Sequence, residues 1–520
     1  MKRIFTLALA LAFFVTACDK EVPLDQELKV LTPANLDANA GTWKPILLTS
    51  NSQVPVAAPI AVDNQTYVND LATIKTIQAN LTDTQKKAID YWAVGGVLRW
   101  NEILRGLVSK YNLPPAPNNL GTYPGPDASN PFGDPNFPFA NPPYAARAYS
   151  YVTAAQYDAL KAAWYYKYLY NRPAPYTVDG GIQAFVPKTT LPAYPSEDAV
   201  LSGVTAELLK LLFPAAVEEI TLKAAEQRNA ALWSGKAAQT DISAGLSLGN
   251  AIAALYTDRA KNDGMSGSVG TAPMWAALKA NAERAGQIPW ISLETPPRPP
   301  MLPFFGLRNT SASSPGVRTW MMTNADIERE RPGVPPTATS AELEDEVKEV
   351  YFYSTHVTRE RLAIVHKWAD GVGTYTPPGH WDEIASHYVE AANMSEVRAA
   401  RTFAYLNIAL HDAGVACWET KFYYFNARPT QVDASIKTAT GIPNFPSYTS
   451  GHSTFSGAAG QVLAYLFPND ANFFLEQAQE AGLSRLYGGI HYRSDCEVGL
   501  AHGKVIGNYT VNFAKTDGAD

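Results

Sequence analysis

A chain that resembles itself at a constant offset is constrained to fold as two copies of one unit, and this sequence does so. Asp158-Ala159, Ala162, Trp164 and Lys167 return as Asp412-Ala413, Ala416, Trp418 and Lys421. Tyr194–Pro214 aligns without a gap on Tyr448–Pro468, sharing Ser196/Ser450, Gly203/Gly457 and the closing Leu-Phe-Pro. Asp241, Gly245, Leu246 and Gly249 return as Asp495, Gly499, Leu500 and Gly503. Arg172-Pro173 echoes Arg428-Pro429 two residues out of step, and Trp92-Ala93 with Trp100 and Glu102-Ile103 echoes Trp368-Ala369 with Trp381 and Glu383-Ile384. A repeat this long signals a duplicated domain.

The apolar residues recur with helical spacing and few stretches alternate with period two. The expectation is an all-α fold: two related helical bundles from an internal duplication, joined by Pro/Gly-rich loops. Helical periodicity begins near Tyr67 and runs through Thr82–Tyr111 to a stop at Pro114-Pro115. A long loop, Pro114–Pro143, follows, and helices resume at about Thr153. The boundaries read 1–17 leader, 18–66 tether and strap, 67–261 first bundle, 262–340 connector and 341–520 second bundle.

The leader is written in Lys2-Arg3 ahead of the apolar run Ile4–Ala17, too short to span a bilayer. Val15-Thr16-Ala17-Cys18 resembles a bacterial lipobox. That implies cleavage before Cys18, lipidation of Cys18 and a body tethered in the bacterial cell envelope, on the outer membrane or the periplasmic face. The formal charge is −7, and losing Lys2 and Arg3 makes it more negative, which excludes nucleic acid as the main partner. Three cysteines cannot make a disulfide framework, and Cys417 and Cys496 read as small buried hydrophobes.

The copies diverge where chemistry would sit. Gly451 and His452 face Glu197 and Asp198, Arg485 and His491 face Ala231 and Ala237, and all 8 histidines lie at or after His356. The first copy is expected to be a scaffold without an active site. In the second, Ser450-Gly451-His452 reads as a tight turn opening a helix, whose N–H groups and dipole favour an anion. A histidine there can trade protons with it. Lys421 and Arg428 are two helical turns apart and project from one face. Asp495 lies one turn beyond His491, placed to take one imidazole N–H and fix which nitrogen is free. Asp412 has a duplicate, Asp158, with no site to serve, so its role is expected to be structural. His356, His366, His380, His387 and His502 default to surface or packing positions.

Taken together, Lys421, Arg428-Pro429, Ser450-Gly451-His452, Ser484-Arg485, His491 and Asp495 resemble the signature of the type 2 phosphatidic acid phosphatase/vanadium haloperoxidase superfamily. Thr449 departs from it, standing where the family usually has proline. The resemblance implies a vanadate or phosphate pocket in which Lys421, Arg428, Arg485, Ser450 and the Gly451 N–H hold the oxygens. His491 would be the vanadium ligand of a haloperoxidase or the nucleophile of a phosphatase, and His452 the general acid/base. Trp418 and Phe445 resemble aromatic residues lining the halide side of such pockets. The stretch from Trp368-Ala369-Asp370-Gly371 to Gly379-His380-Trp381 looks like one found in bacterial haloperoxidase-like members.

The family's haloperoxidases are similarly built from two related bundles, whereas its soluble phosphatases are typically single-bundle and much shorter. The leading expectation is therefore a vanadate-dependent haloperoxidase that oxidises iodide or bromide with hydrogen peroxide. The alternatives are a phosphomonoesterase working through a phosphohistidine, with phosphate in place of vanadate, and a non-catalytic anion-binding or scaffold lipoprotein. No haem or flavin motif is present.

Overall fold

The computed structural model describes residues 28–113, 141–308 and 316–519, together with Asn119. Cys18 and the leader lie outside the described residues, as does most of the loop expected over Pro114–Pro143. Among the described residues the fold is helical, with no strand. Among the described residues, no helix is long and apolar enough to cross a membrane.

The duplication is reproduced element by element. In the first half, α1 spans Pro142–Tyr170, α2 Glu197–Leu212, α3 Val217–Trp233 and α4 Gln239–Lys261. The second half opens with α5, Thr376–Ala391, and then repeats that order as α6 Glu396–Tyr424, α7 Gly451–Leu466, α8 Ala471–Tyr487 and α9 Arg493–Ala514. The longest pair, α1 and α6, starts and stops alike. Asn141 caps α1 by accepting from Tyr144 N at 3.0 Å, and Ser395 caps α6 by accepting from Arg398 N at 3.2 Å. Each helix ends on a left-handed residue, Asn171 at φ 50° and Phe425 at φ 49°.

Both long helices are buried almost all round, so they form the centre and not a surface layer. They pack against each other, and one continuous core holds residues from both halves. Asp158 and Asp412 do the same job on the two helices. Asp158 accepts from the N–H groups of Ile46, Leu47 and Leu48, and Asp412 from those of Trp320 and Met321 at 2.8 Å each. Each carboxylate clamps an irregular strap across its helix, so Asp412 is structural as expected.

The repeated glycines are explained by helix approach. A Cβ on Gly249 would meet the Val200 carbonyl at 2.3 Å, and one on Gly503 the Thr454 carbonyl at 2.1 Å. Only glycine lets α4 lie on α2, and α9 on α7, this closely.

Three expectations need correction. The first long helix begins at Pro142, not near Thr153, because prolines at the first helical positions start a helix as readily as they stop one. The run Thr82–Tyr111 is broken at Gly95, whose φ of 116° separates helices Asp83–Ala93 and Gly96–Tyr111. The stretch 262–340 is more than a connector: it contains helices Ala272–Arg284 and Asn324–Glu330, and its Pro-rich part packs over the second half.

Candidate active site

The site is built where α7 begins. Ser450 caps the helix, its hydroxyl accepting from Ser453 N at 3.3 Å, and its own N–H donates to the Asp495 carbonyl at 2.9 Å. The capping serine therefore faces the helix and not the cavity. Two basic side chains, Lys421 and Arg428, bind the backbone that leads into the turn, and a third, Arg485, is held nearby. Lys421, in the last turn of α6, donates from Nζ to the carbonyls of Pro446 at 2.9 Å and Ser447 at 2.8 Å. Arg428 donates to the carbonyls of Phe445 at 2.9 Å and Ile490 at 2.8 Å. Arg485, at the end of α8, donates to Ser484 Oγ at 2.8 Å and to the carbonyls of Val365 and Trp368 at 3.2 and 2.5 Å.

His491 precedes α9 and is oriented by Asp495, whose Oδ2 lies 2.8 Å from Nδ1. The same oxygen accepts from Ser447 Oγ at 2.5 Å and from Tyr492 N at 3.1 Å. A carboxylate this placed holds the proton on Nδ1, and Nε2 is left with its lone pair, 3.3 Å from Arg428 Nη1.

These groups border a cavity of about 250 Å³. Gly451, His452, Arg485 and His491 line it, with Trp418 and Phe445 on the apolar side, their ring centres 4.9 Å apart. Lys421, Arg428, Ser450 and Asp495 stand behind that lining, fully buried. Opposite, the former connector supplies Met301 and the Glu294–Arg298 ion pair at 2.8 Å, pinned through Asn444 to the Pro299 carbonyl.

The electrostatics are one-sided. Among the described residues, Lys421, Arg428 and Arg485 hydrogen-bond carbonyls, one hydroxyl and His491, but no carboxylate. Burial and its cationic neighbour Arg428 push the Lys421 ammonium down to about 8, and burial lowers both guanidiniums. Burial and the Arg428 cation hold His491 well below its usual range; burial and Arg485 do the same to His452. Asp495 is pushed up to about 6 by burial, against the hydroxyl of Ser447. Asp495 and Asp370 offset part of this positive charge, and an anion in the cavity would offset more of it.

The residues fit a tetrahedral oxyanion. Among the described residues, Arg428 Nη2 and His452 Nε2 are buried without a hydrogen-bond partner, and a Cβ on Gly451 would meet nothing nearer than Trp418 at 3.8 Å, so the turn lies open to the cavity. The first half shows what an anion does here. Lys167, the counterpart of Lys421, donates to the matching Pro192 carbonyl and, at 2.7 Å, to Glu197, which replaces Gly451. Lys236 completes the arrangement, 2.7 Å from both Glu197 and Asp198. A carboxylate of the chain thus sits where the second copy is open.

Two residues went unassigned in the sequence. Asp370, on the turn before α5, lies with Oδ2 3.6 Å from His452 Nε2. His380, expected only to pack or face solvent, holds Asp370 through Nδ1 at 3.0 Å and stacks on Trp368 at 4.3 Å. The only signal was the motif spanning both, since neither neighbours the anion residues in sequence. His411 is buried against the Arg318 carbonyl and the Phe305 ring, and does not line the cavity. Cys417 and Cys496 are free and buried.

Residues 402–518 match the model of the PAP2 superfamily, a stretch that contains Lys421 through Asp495. Among solved structures, the fold is shared with the first bacterial vanadium-dependent iodoperoxidase, at TM-score 0.56 and 24% identity over 72% of this chain and 91% of that one. An apo-type bacterial vanadium-dependent chloroperoxidase matches at TM-score 0.50 and 14% identity, over 72% and 94% of the two chains. Among curated proteins, lipid A 1-phosphatases of Rhizobium etli and Rhizobium johnstonii are each 42% identical over 69 residues. That stretch is 13% of this chain and spans 30% and 28% of those relatives.

Proposed function

We propose, from a PAP2 superfamily segment carried on the fold of the vanadium haloperoxidases, that this protein is a vanadate-dependent haloperoxidase acting on iodide or bromide. The observation that supports it most is that, among the described residues, the three buried cations Lys421, Arg428 and Arg485 hydrogen-bond no carboxylate and stand beside a cavity that Trp418 and Phe445 line. In this reading His491 Nε2 binds the vanadate, with Asp495 keeping that nitrogen unprotonated. Lys421, Arg428 and Arg485 balance its charge, while the Gly451 N–H meets its oxygens and Ser450, turned toward the helix, holds the turn from behind. Bound vanadate supplies the Lewis acidity that activates hydrogen peroxide. His452 moves the protons, and Trp418 and Phe445 exclude water and receive a polarisable, weakly hydrated halide.

The same residues suit a phosphomonoesterase, a reading favoured by the likeness to lipid A 1-phosphatases. There His491 attacks phosphorus and His452 protonates the leaving oxygen. Orthovanadate-reconstituted protein from about residue 24 is assayed for peroxide-dependent oxidation of iodide and bromide, with p-nitrophenyl phosphate hydrolysis by the vanadate-free protein alongside. Vanadate-dependent halide oxidation that disappears in His491→Ala supports the first reading. Phosphatase turnover without halide oxidation overturns it in favour of the second. We also propose that Cys18 is lipidated and tethers the body to the cell envelope; a Cys18→Ser chain that still partitions with membranes would rule this out.

A further inference from the structure

His380 does not line the anion cavity, yet it is tied to it. Its Nδ1 contacts both oxygens of Asp370, at 3.0 Å to Oδ1 and 3.2 Å to Oδ2. Oδ2 is the oxygen that faces His452 Nε2 at 3.6 Å, and among the described residues that buried nitrogen has no hydrogen-bond partner, although the ring also meets the Trp368 backbone. Three groups able to carry a proton therefore stand in a row: His452 and Asp370, which both line the cavity, and His380 beyond Asp370, whose side chain keeps 12% of its surface in solvent. Stacking on Trp368 fixes the His380 ring, and the Trp368 carbonyl also binds Arg485 of the anion site. The row is thus held rigidly to the cluster it would serve.

The reaction gives such a row a task. Halide oxidation takes up one proton per turnover, H2O2 + X− + H+ → HOX + H2O. Phe455, Trp418, Phe445 and Pro377 contribute apolar lining to the cavity, and Asp370 is the lining carboxylate that faces His452.

We propose that His380 is the solvent-side end of a proton relay that reaches His452 through Asp370. This rests on the haloperoxidase reading of the same site, which supplies the need for a net proton. Water protonates the free ring nitrogen of His380, and Nδ1–H passes its proton to Asp370 Oδ2. Oδ2 then gives it to His452 Nε2. His380 ends neutral, Asp370 ends as the carboxylate, and no electron changes hands. Because Nδ1 reaches Oδ2 directly, the carboxyl group need not rotate. The 3.6 Å gap is longer than a hydrogen bond, and such contacts in ligand-free sites commonly tighten when the ligand binds.

Arg485 faces the row, its charge acting on both Asp370 and His452, and the other nearby charges are paired. Tyr375, edge-on to the His380 ring, donates to Glu383, which also faces Arg105 at 3.9 Å. Lys367 and Glu480 pair at 2.7 Å, and Glu480 also accepts from Trp368.

The test uses the full chain and His380→Gln, which keeps a donor for Asp370 but cannot carry a proton. Sulfate affinity should stay within about twofold of wild type, since the anion site is untouched, while kcat for halide oxidation falls about tenfold with KM for halide unchanged. Added imidazole should restore much of that loss. An unchanged kcat, a loss that imidazole does not relieve, or a loss of sulfate binding would each overturn the relay, the last by making His380 merely structural. A second readout needs no vanadate and no turnover: nitrogen NMR of histidine-labelled protein. Asp370→Asn should shift the His452 and His380 ring signals together, and a shift confined to His380 would overturn the relay. If the wild-type chain oxidises no halide, the functional reading fails by itself, and the NMR result still decides whether the two rings are coupled.

Discussion

Oxyanion binding should depend on the protonation of Lys421, and the dependence can be calculated. Burial, helped by the Arg428 cation, brings the ammonium down to about 8 from its usual 10.5. An anion in the cavity favours the charged form and would return the value toward its ordinary range. Anion binding then requires protonated Lys421: affinity is level below the free-site value and declines as pH rises through it. Both imidazoles are already neutral, Asp495, at about 6, is mostly ionised from about pH 6.5 upward, and the guanidiniums, though lowered by burial, hold their protons more tightly than the ammonium, so Lys421 should dominate the profile above about pH 6.5. Sulfate is the suitable probe, since it does not titrate there. A single group at about 8 predicts that sulfate binds about 30-fold more weakly at about pH 9.5 than at about pH 6.5, or about 2 kcal/mol. The full shift from 10.5 to about 8 caps the effect at about 3.4 kcal/mol. Isothermal titration calorimetry at constant ionic strength measures it directly, and two buffers of different ionisation enthalpy should show about one proton taken up per sulfate near pH 9. Lys421→Arg should flatten the profile without abolishing binding. A sulfate affinity level to about pH 9.5, with no proton uptake, would refute the reasoning.

Asp495→Asn should weaken vanadate binding by about 10- to 100-fold, because Nδ1 of His491 exchanges a charged carboxylate for a neutral amide that fixes its tautomer less firmly; equilibrium dialysis checks this. Glu197→Ala should destabilise the first half by about 3–5 kcal/mol, leaving Lys167 buried without its partner, as read by thermal unfolding. Two lysines hold the Glu197 carboxyl, against burial, at about 2 instead of 4.5, so its contribution is complete above about pH 4.5 and is lost as pH falls toward 2; a melting temperature indifferent to that window would contradict the pairing. Gly503→Ala should cost about 1–3 kcal/mol by pushing α9 off the Thr454 carbonyl, and should loosen the start of α7; an unchanged melting curve would show that the helices can separate freely.

The sequence by itself determined the periodic features. Helix identity, the doubled architecture and its register come from spacings of 3.6 residues and from glycines that must recur wherever two helices touch. The second copy's motif was legible for a related reason: Lys421, Arg428, Arg485, His491 and Asp495 each sit at a helix end, so local order already gives them a direction. Only the tertiary structure decided the rest. Asp370 and His380 serve His452 from a turn and helix about 80 residues earlier, and no periodicity links them. Likewise, that Lys421 and Arg428 stand behind the cavity and bind carbonyls depends on how the turn folds over them. The stretch 262–340 closes the cavity through Arg298 and Met301, although its Pro/Gly content reads as a linker. Those outcomes depend on which buried polar groups find partners when distant segments pack, and that energy is non-local.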